Sequence, residues 1–233
     1  MQTDSTETIE AVFFDFEGTV VDFQWNLKDA VEDALSALEA AGYQRHQFGE
    51  TPGYAFIYNH AIDLSLREAP GAKGRAVRTV MDPIFDRYDN DALSRWRLQK
   101  DTHEVLTLLK SQHFKLGMIS NIGAAALSAA LDRLTITPFF DVILSRNDMT
   151  RIKPHPEGLI TAAKRLHIAP SRVLFVGDSR NDVAAATAAG MRSCYLIGGE
   201  DTPAQVAPLS QTYSIRTLSQ ITELDIVAAE RGI

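Results

Sequence analysis

Short apolar runs, each followed by a stretch of helical periodicity, set the rhythm of this chain. The first is Ala11-Val12-Phe13-Phe14, which ends in Asp15. Lys115-Leu116-Gly117-Met118-Ile119 is the second, followed by Ser120 and an Ala/Leu-rich helix to about Leu134. The third is Asp141-Val142-Ile143-Leu144, with a helix from about Pro156 to Leu166. Arg172 to Val176 is the fourth, and the helix after it stops at Gly190, a residue suited to a C-cap. Ser193 to Ile197 is the fifth. Unbroken apolar runs of this length fit strands buried on both faces. Their alternation with helices predicts βαβ units and an α/β fold with a parallel sheet.

One stretch breaks the rhythm. From about Phe23 to Lys100 there is no comparable apolar run. Apolar residues at 27, 30, 31, 34, 35 and 38 repeat at helical spacing. Further helices are expected over about 53–67 and 74–88. The expected organisation is a core of residues 1–22 and 101–233, with a smaller helical domain, 23–100, inserted after the first strand. Its position there suits a lid.

Composition narrows the class. The chain has 233 residues, 45% hydrophobic and 23% charged, the balance of a soluble globular protein. A core of this size needs no staple, and the single Cys194 excludes an intrachain disulfide and a C-x-x-C zinc pair. No run approaches a membrane span, and the polar, acidic opening MQTDSTETIE is not a signal peptide. A net charge of −7 argues against nucleic-acid binding. A soluble cytoplasmic protein, monomer or homodimer, is the expectation.

In an open parallel sheet, ligands bind beyond the carboxyl ends of the strands. Three runs end in reactive side chains: Asp15-Phe16-Glu17-Gly18-Thr19, Ser120-Asn121 and Gly177-Asp178-Ser179-Arg180-Asn181-Asp182. Lys153-Pro154 lies in a loop before a helix. Together they bring four acids, a lysine and a small hydroxyl to one crevice, a combination suited to a hard divalent cation and a phosphoryl group. Each alone is also an ordinary cap or turn; Asp178-Ser179 is a respectable N-cap.

These four segments, in this order, resemble the motifs of the haloacid dehalogenase-like (HAD) hydrolase superfamily, in particular its phosphoglycolate phosphatase-like branch with a helical cap. The resemblance implies a Rossmann-like core and a Mg²⁺-dependent phosphatase acting on a small phosphorylated metabolite. Asp15 would be the nucleophile, forming an aspartyl-phosphate. Mg²⁺ would be held by Asp15, the carbonyl of Glu17 and Asp178, with Asp182 orienting a metal-bound water. Ser120, the amide of Asn121 and Lys153 would hold phosphate, and Thr19 would hydrogen-bond near Asp15 at the phosphate end. The general acid/base slot, two residues after the nucleophile, usually holds Asp; here it is Glu17, one methylene longer. Enolase-phosphatases of the superfamily also carry Glu there.

Other readings use the same residues. A non-catalytic phosphate-binding protein retains the fold, and a phosphomutase shares every core residue. A phosphonatase needs a cap lysine, and Lys28, Lys73 and Lys100 stand in no matching context. The six histidines form no ligand-spaced pair, although His155 follows Lys153-Pro154 and is placed to reach the rim. Residues 71–100 carry seven Lys/Arg against four Asp, so Arg75, Arg78, Arg95 and Arg97 either face an anionic substrate or form a solvated face.

Overall fold

The computed structural model describes residues 8–68, 73–209 and 211–228. Six strands, β1 (Ala11–Phe14), β2 (Lys115–Ile119), β3 (Val142–Leu144), β4 (Val173–Gly177), β5 (Arg192–Leu196) and β6 (Tyr213–Ile215), form one sheet in the order β3-β2-β1-β4-β5-β6. All pairings are parallel. Ala11 lies opposite both Lys115 and Val173, so β1 is central. Every β1 residue is buried, which explains the unbroken Ala-Val-Phe-Phe run. Phe13 takes the space above Gly117, where a Cβ would fall 2.6 Å from its Cδ1.

From β1 the chain builds outward to β2 and β3, then returns to build β4, β5 and β6 on the other side. The ends of β1, β2 and β4 therefore meet at the switch point, where such sheets bind ligands. Helices α4 (Thr102–Ser111), α5 (Ala124–Arg133), α6 (Glu157–Arg165) and α7 (Arg180–Ala189) flank the sheet. Gly190 ends α7 with φ 73°, the left-handed cap expected of it. Two short helices, α8 (Pro203–Val206) and α9 (Asp225–Ala228), close the chain's far side. No helix of the described residues is long and apolar enough to cross a membrane.

Among the described residues, three α-helices lie between β1 and α4: α1 (Leu27–Ala40), α2 (Tyr54–Glu68) and α3 (Lys73–Leu93). Ala30, Ala34, Leu35 and Leu38 form the buried stripe of α1, matching its periodicity. Helix α3 runs five residues beyond the expected end near 88 and carries Pro83 in its interior. Its last turns bury Phe85 and Ala92 between aspartates, which hides the apolar period. The chain enters and leaves this helical insert at one place. There Val21 bridges Leu98 in antiparallel fashion, the Asp22 amide donates to Arg97 O (3.0 Å) and the Gln99 amide to Val20 O (2.9 Å).

Candidate active site

Asp15 ends β1, its amide still donating to Val176 O of β4 (2.9 Å). The chain then turns sharply: Phe16 O accepts from the amides of Val20 (2.9 Å) and Val21 (3.0 Å), and the Gly18 amide donates to Val21 O (2.8 Å). Gly18 has φ 84°, and a Cβ there would overlap the Asp178 carboxylate. The turn thus brings Asp15, Glu17 and Asp178 together because one residue lacks a side chain.

Lys153 Nζ reaches this point from the loop before α6, 2.5 Å from Asp15 Oδ1 and 2.6 Å from Asp182 Oδ1. It lies 5.3 Å above the Phe175 ring. Burial opposes its charge, but the two carboxylates outweigh burial and hold the ammonium above its usual range. Burial pushes Asp15 up to about 6 despite Lys153. The other oxygen of Asp182 accepts from the Ser179 amide (3.0 Å) and hydroxyl (2.6 Å), the capping box of α7. Asp182 therefore has two tasks at once, closing a helix N-terminus and fixing Lys153.

Asp178 is 1% exposed. Its Oδ1 accepts from the Thr19 hydroxyl (3.0 Å) and its Oδ2 from the Glu200 amide (2.5 Å). Burial, with the carboxylates of Asp182 and Asp15 close by, pushes its pKa well above the carboxylate range. Asp15, Asp178 and Asp182 each offer an oxygen within 4.8 Å of one another. Among the described residues lining the cavity, Lys153 is the one cation, against Asp15, Glu17, Asp182 and Glu200. An all-oxygen donor set with this unbalanced negative charge fits a hard divalent cation. The Thr19 hydroxyl is buried and bonded to Asp178, and Thr19 is not part of the cavity wall.

Glu17 Oε1 accepts from the Gln24 amide (2.7 Å) and from Trp96 Nε1 (2.8 Å). Both donors belong to the two segments that join the helical insert to the sheet. Trp96 is itself fully buried, packed edge-on against Phe16 at 5.0 Å. Burial lifts Glu17 to about 7, although both hydrogen bonds oppose the rise. A carboxylic acid poised near neutrality suits a group that gives and then takes a proton. The glutamate in this slot is met by a partner: its carboxylate is anchored to a tryptophan of the second linker.

Ser120 follows β2 with its amide on Leu144 O (2.9 Å), and its Oγ accepts from the Ile122 amide (3.2 Å). The Asn121 side chain is spent on Lys153, accepting from its amide (3.0 Å) and donating to its carbonyl (3.2 Å), and it also donates to Tyr54 Oη (3.1 Å). Ser120, Asn121, Lys153, Asp15, Glu17 and Asp182 all line one cavity, with Phe23 and Tyr54 from the insert side.

Three lining or supporting residues escaped the sequence reading. Glu200 follows Gly198-Gly199 beyond β5, and burial among Asp201, Asp182 and Asp15 raises it to about 8; the strand-end rule applied to β5 finds it. Tyr54 and Trp96 sit in the insert and its linker, where no motif marks them. His155 instead turns Nδ1 to the Glu157 amide (3.3 Å). Arg78 and Arg95 pair with Asp82 and Asp91, and Arg97 caps carbonyls of 94–96. The side chains of Lys73 and Arg75 lie outside the described residues.

The haloacid dehalogenase-like hydrolase family model matches residues 9–190. The chain belongs to that family. Two phosphoglycolate phosphatases, from Escherichia coli K12 and Salmonella typhimurium LT2, are each 32% identical to it. The alignments cover 83% and 84% of this chain and the same shares of theirs. A predicted phosphoglycolate phosphatase from Haemophilus somnus 129PT superposes with a TM-score of 0.64 at 23% identity, covering 92% of this chain and 97% of that one. A HAD family hydrolase from Deinococcus radiodurans R1, solved with bound phosphate and sodium, gives 0.61 at 20% identity, covering 95% and 97%. The branch drawn from the four motifs therefore holds, and with it the class of phosphoric monoester hydrolase.

Proposed function

We propose that this chain is a Mg²⁺-dependent phosphatase of a small phosphorylated metabolite, working through an aspartyl-phosphate on Asp15. The observation that carries the reading is the Lys153 ammonium bridging Asp15 and Asp182 in a buried cavity rich in carboxylates. Asp15 Oδ attacks phosphorus while the bond to the leaving oxygen breaks, and Glu17 gives its proton to that oxygen. Glu17 then takes a proton from water as the water oxygen attacks phosphorus, which breaks the bond to Asp15 and restores its carboxylate. Lys153, the Ser120 hydroxyl and the Asn121 amide hold the phosphate oxygens throughout. Asp15, the Glu17 carbonyl and Asp178 would hold Mg²⁺, which supplies positive charge against the phosphate dianion.

The cavity leaves about 20 Å³, enough for about one water. A phosphate ester does not fit unless the insert moves, so residues 23–100 act as a cap that opens about the Val21–Leu98 linker pair. Phosphoglycolate, the substrate named for the relatives, is the first compound to try, within a panel of small phosphomonoesters. Purified protein should release phosphate from p-nitrophenyl phosphate only with Mg²⁺ present. Asp15→Asn should fold and show nearly no turnover. Metal-independent release, or full activity in Asp15→Asn, would overturn the proposal.

A further inference from the structure

Arg146 stands just beyond β3 and is buried, at 1% exposure. An unpaired guanidinium in that position would be strongly disfavoured. Its partners come from one face of α3 in the insert. Nε lies 3.5 Å from Asp82 Oδ1, Nη2 lies 3.0 Å from Asp89 Oδ2, and Nη2 also pairs with Asp86. The guanidinium sits 5.5 Å over the Phe85 ring of the same helix. Its remaining donor turns the other way, Nη1 to Asn121 O at 2.9 Å.

Asp89, fully buried, completes the arrangement by accepting from the Gly123 amide at 2.9 Å. Gly123 allows this approach, since a Cβ there would overlap Asp86 and crowd Arg146. The Arg146 amide donates to Ile122 O (2.9 Å). Three consecutive residues after Ser120 are thus gripped by one core arginine and one insert aspartate.

The consequence falls on Ser120. The peptide joining Asn121 to Ile122 has its carbonyl held by Arg146, and its N–H donates to Ser120 Oγ (3.2 Å). A hydroxyl has one proton to give. With an acceptor site of Oγ filled by Ile122, that proton is free to point into the cavity that Ser120 lines, towards a phosphate oxygen.

We propose that Arg146 is a positioning residue: with Asp89 it sets the Asn121–Ile122 peptide, and through it the Ser120 hydroxyl, when the insert is seated on the core. The proposal rests on the reading of Ser120–Asn121 as the phosphate-binding segment. It makes phosphate affinity depend on α3, a helix of whose described residues none lines the cavity.

The test uses the full-length enzyme with Mg²⁺ and inorganic phosphate as the probe, measuring its inhibition constant against p-nitrophenyl phosphate, with KM and kcat taken separately. Arg146→Lys keeps the charge but cannot reach Asn121 O and Asp89 together. The phosphate inhibition constant and KM should rise about tenfold, the scale of one hydrogen bond to a charged group, with the Mg²⁺ titration unchanged. Asp89→Asn should move both constants the same way, and it decides the matter if Arg146→Lys does not fold. Wild-type constants in the folded variants would overturn the proposal. Ser120→Ala separates the two levels. If it weakens phosphate and the Arg146 and Asp89 variants do not, the positioning role fails and the phosphate-binding segment stands. If Ser120→Ala leaves phosphate affinity unchanged, that segment is misread and the positioning role falls with it.

Discussion

Replacing Glu17 by Gln should make the metal-free protein more stable and the enzyme nearly inactive. Glu17 is 8% exposed, and its carboxyl is raised from an ordinary 4.5 to about 7, chiefly by burial. Below 4.5 both the folded and the unfolded chain hold the proton, and no penalty arises. As pH climbs through 7 the unfolded chain has already ionised freely, while the folded one ionises at a cost. The fold therefore loses about 3 kcal/mol between acid and alkaline pH, from the rise of 4.5 to about 7 at roughly 1.4 kcal/mol per pH unit. Gln cannot ionise, yet its Oε1 can still accept from Trp96 and the Gln24 amide. The variant should thus gain about 3 kcal/mol over the natural protein at pH 8 and less than about 1 kcal/mol at pH 5. Urea unfolding in EDTA at the two pH values measures this; with m on the order of 3 kcal/mol/M, the midpoint should move by about 1 M at pH 8. Turnover with Mg²⁺ should fall about 10²–10⁴-fold, with a burst of nitrophenol as phospho-enzyme accumulates. A gain equal at both pH values, or a Gln variant less stable at pH 8, would refute the burial argument. Undiminished turnover would refute the role.

Trp96→Phe removes the indole donor from Glu17 while keeping the ring against Phe16; kcat should fall about tenfold with KM little changed, read from steady-state kinetics. Gly199→Ala would drive a Cβ into the Asp178 carboxylate, so half-maximal activation should need at least about tenfold more Mg²⁺, with a stability loss of about 1–3 kcal/mol by urea unfolding. Thr19→Val removes the hydroxyl that bonds Asp178 while keeping the shape; thermal unfolding should show a loss of about 1–3 kcal/mol, and phosphate inhibition should stay near its wild-type value.

The central strands were legible because strands buried on both faces must be apolar at every position, as Phe13 and Phe175 are. The edge strand β6 was not, since Tyr213-Ser214-Ile215 is short and half-solvated and sends no run above its polar surroundings. The Asp15, Ser120 and Asp178 positions could be read because each closes an apolar run. Thr19 and Asp182 stood in the right segments, but their partners, Asp178 and Lys153, are 159 and 29 residues away, and no local pattern encodes those pairings. Trp96, Asp89 and Arg146 were silent for the same reason. In sequence they are an aromatic among arginines, one aspartate among several on α3 and a charge after a strand, and only the packing of α3 on the core gives them a task.

The pairing of Val21 with Leu98 has a further consequence. Since Val21 and Leu98 pair across an isolated bridge where the chain leaves the core and returns to it, the 76 residues between them form a side excursion from the core. A turn of a few residues could replace it without disturbing the register of any strand, and a different helical hairpin could be spliced in at the same two ends. Topologically the piece is exchangeable. Chemically it is not: removing it takes away the indole that anchors Glu17 and the carboxylate that braces Gly123. Any exchanged segment would have to bring its own equivalents of both hydrogen bonds.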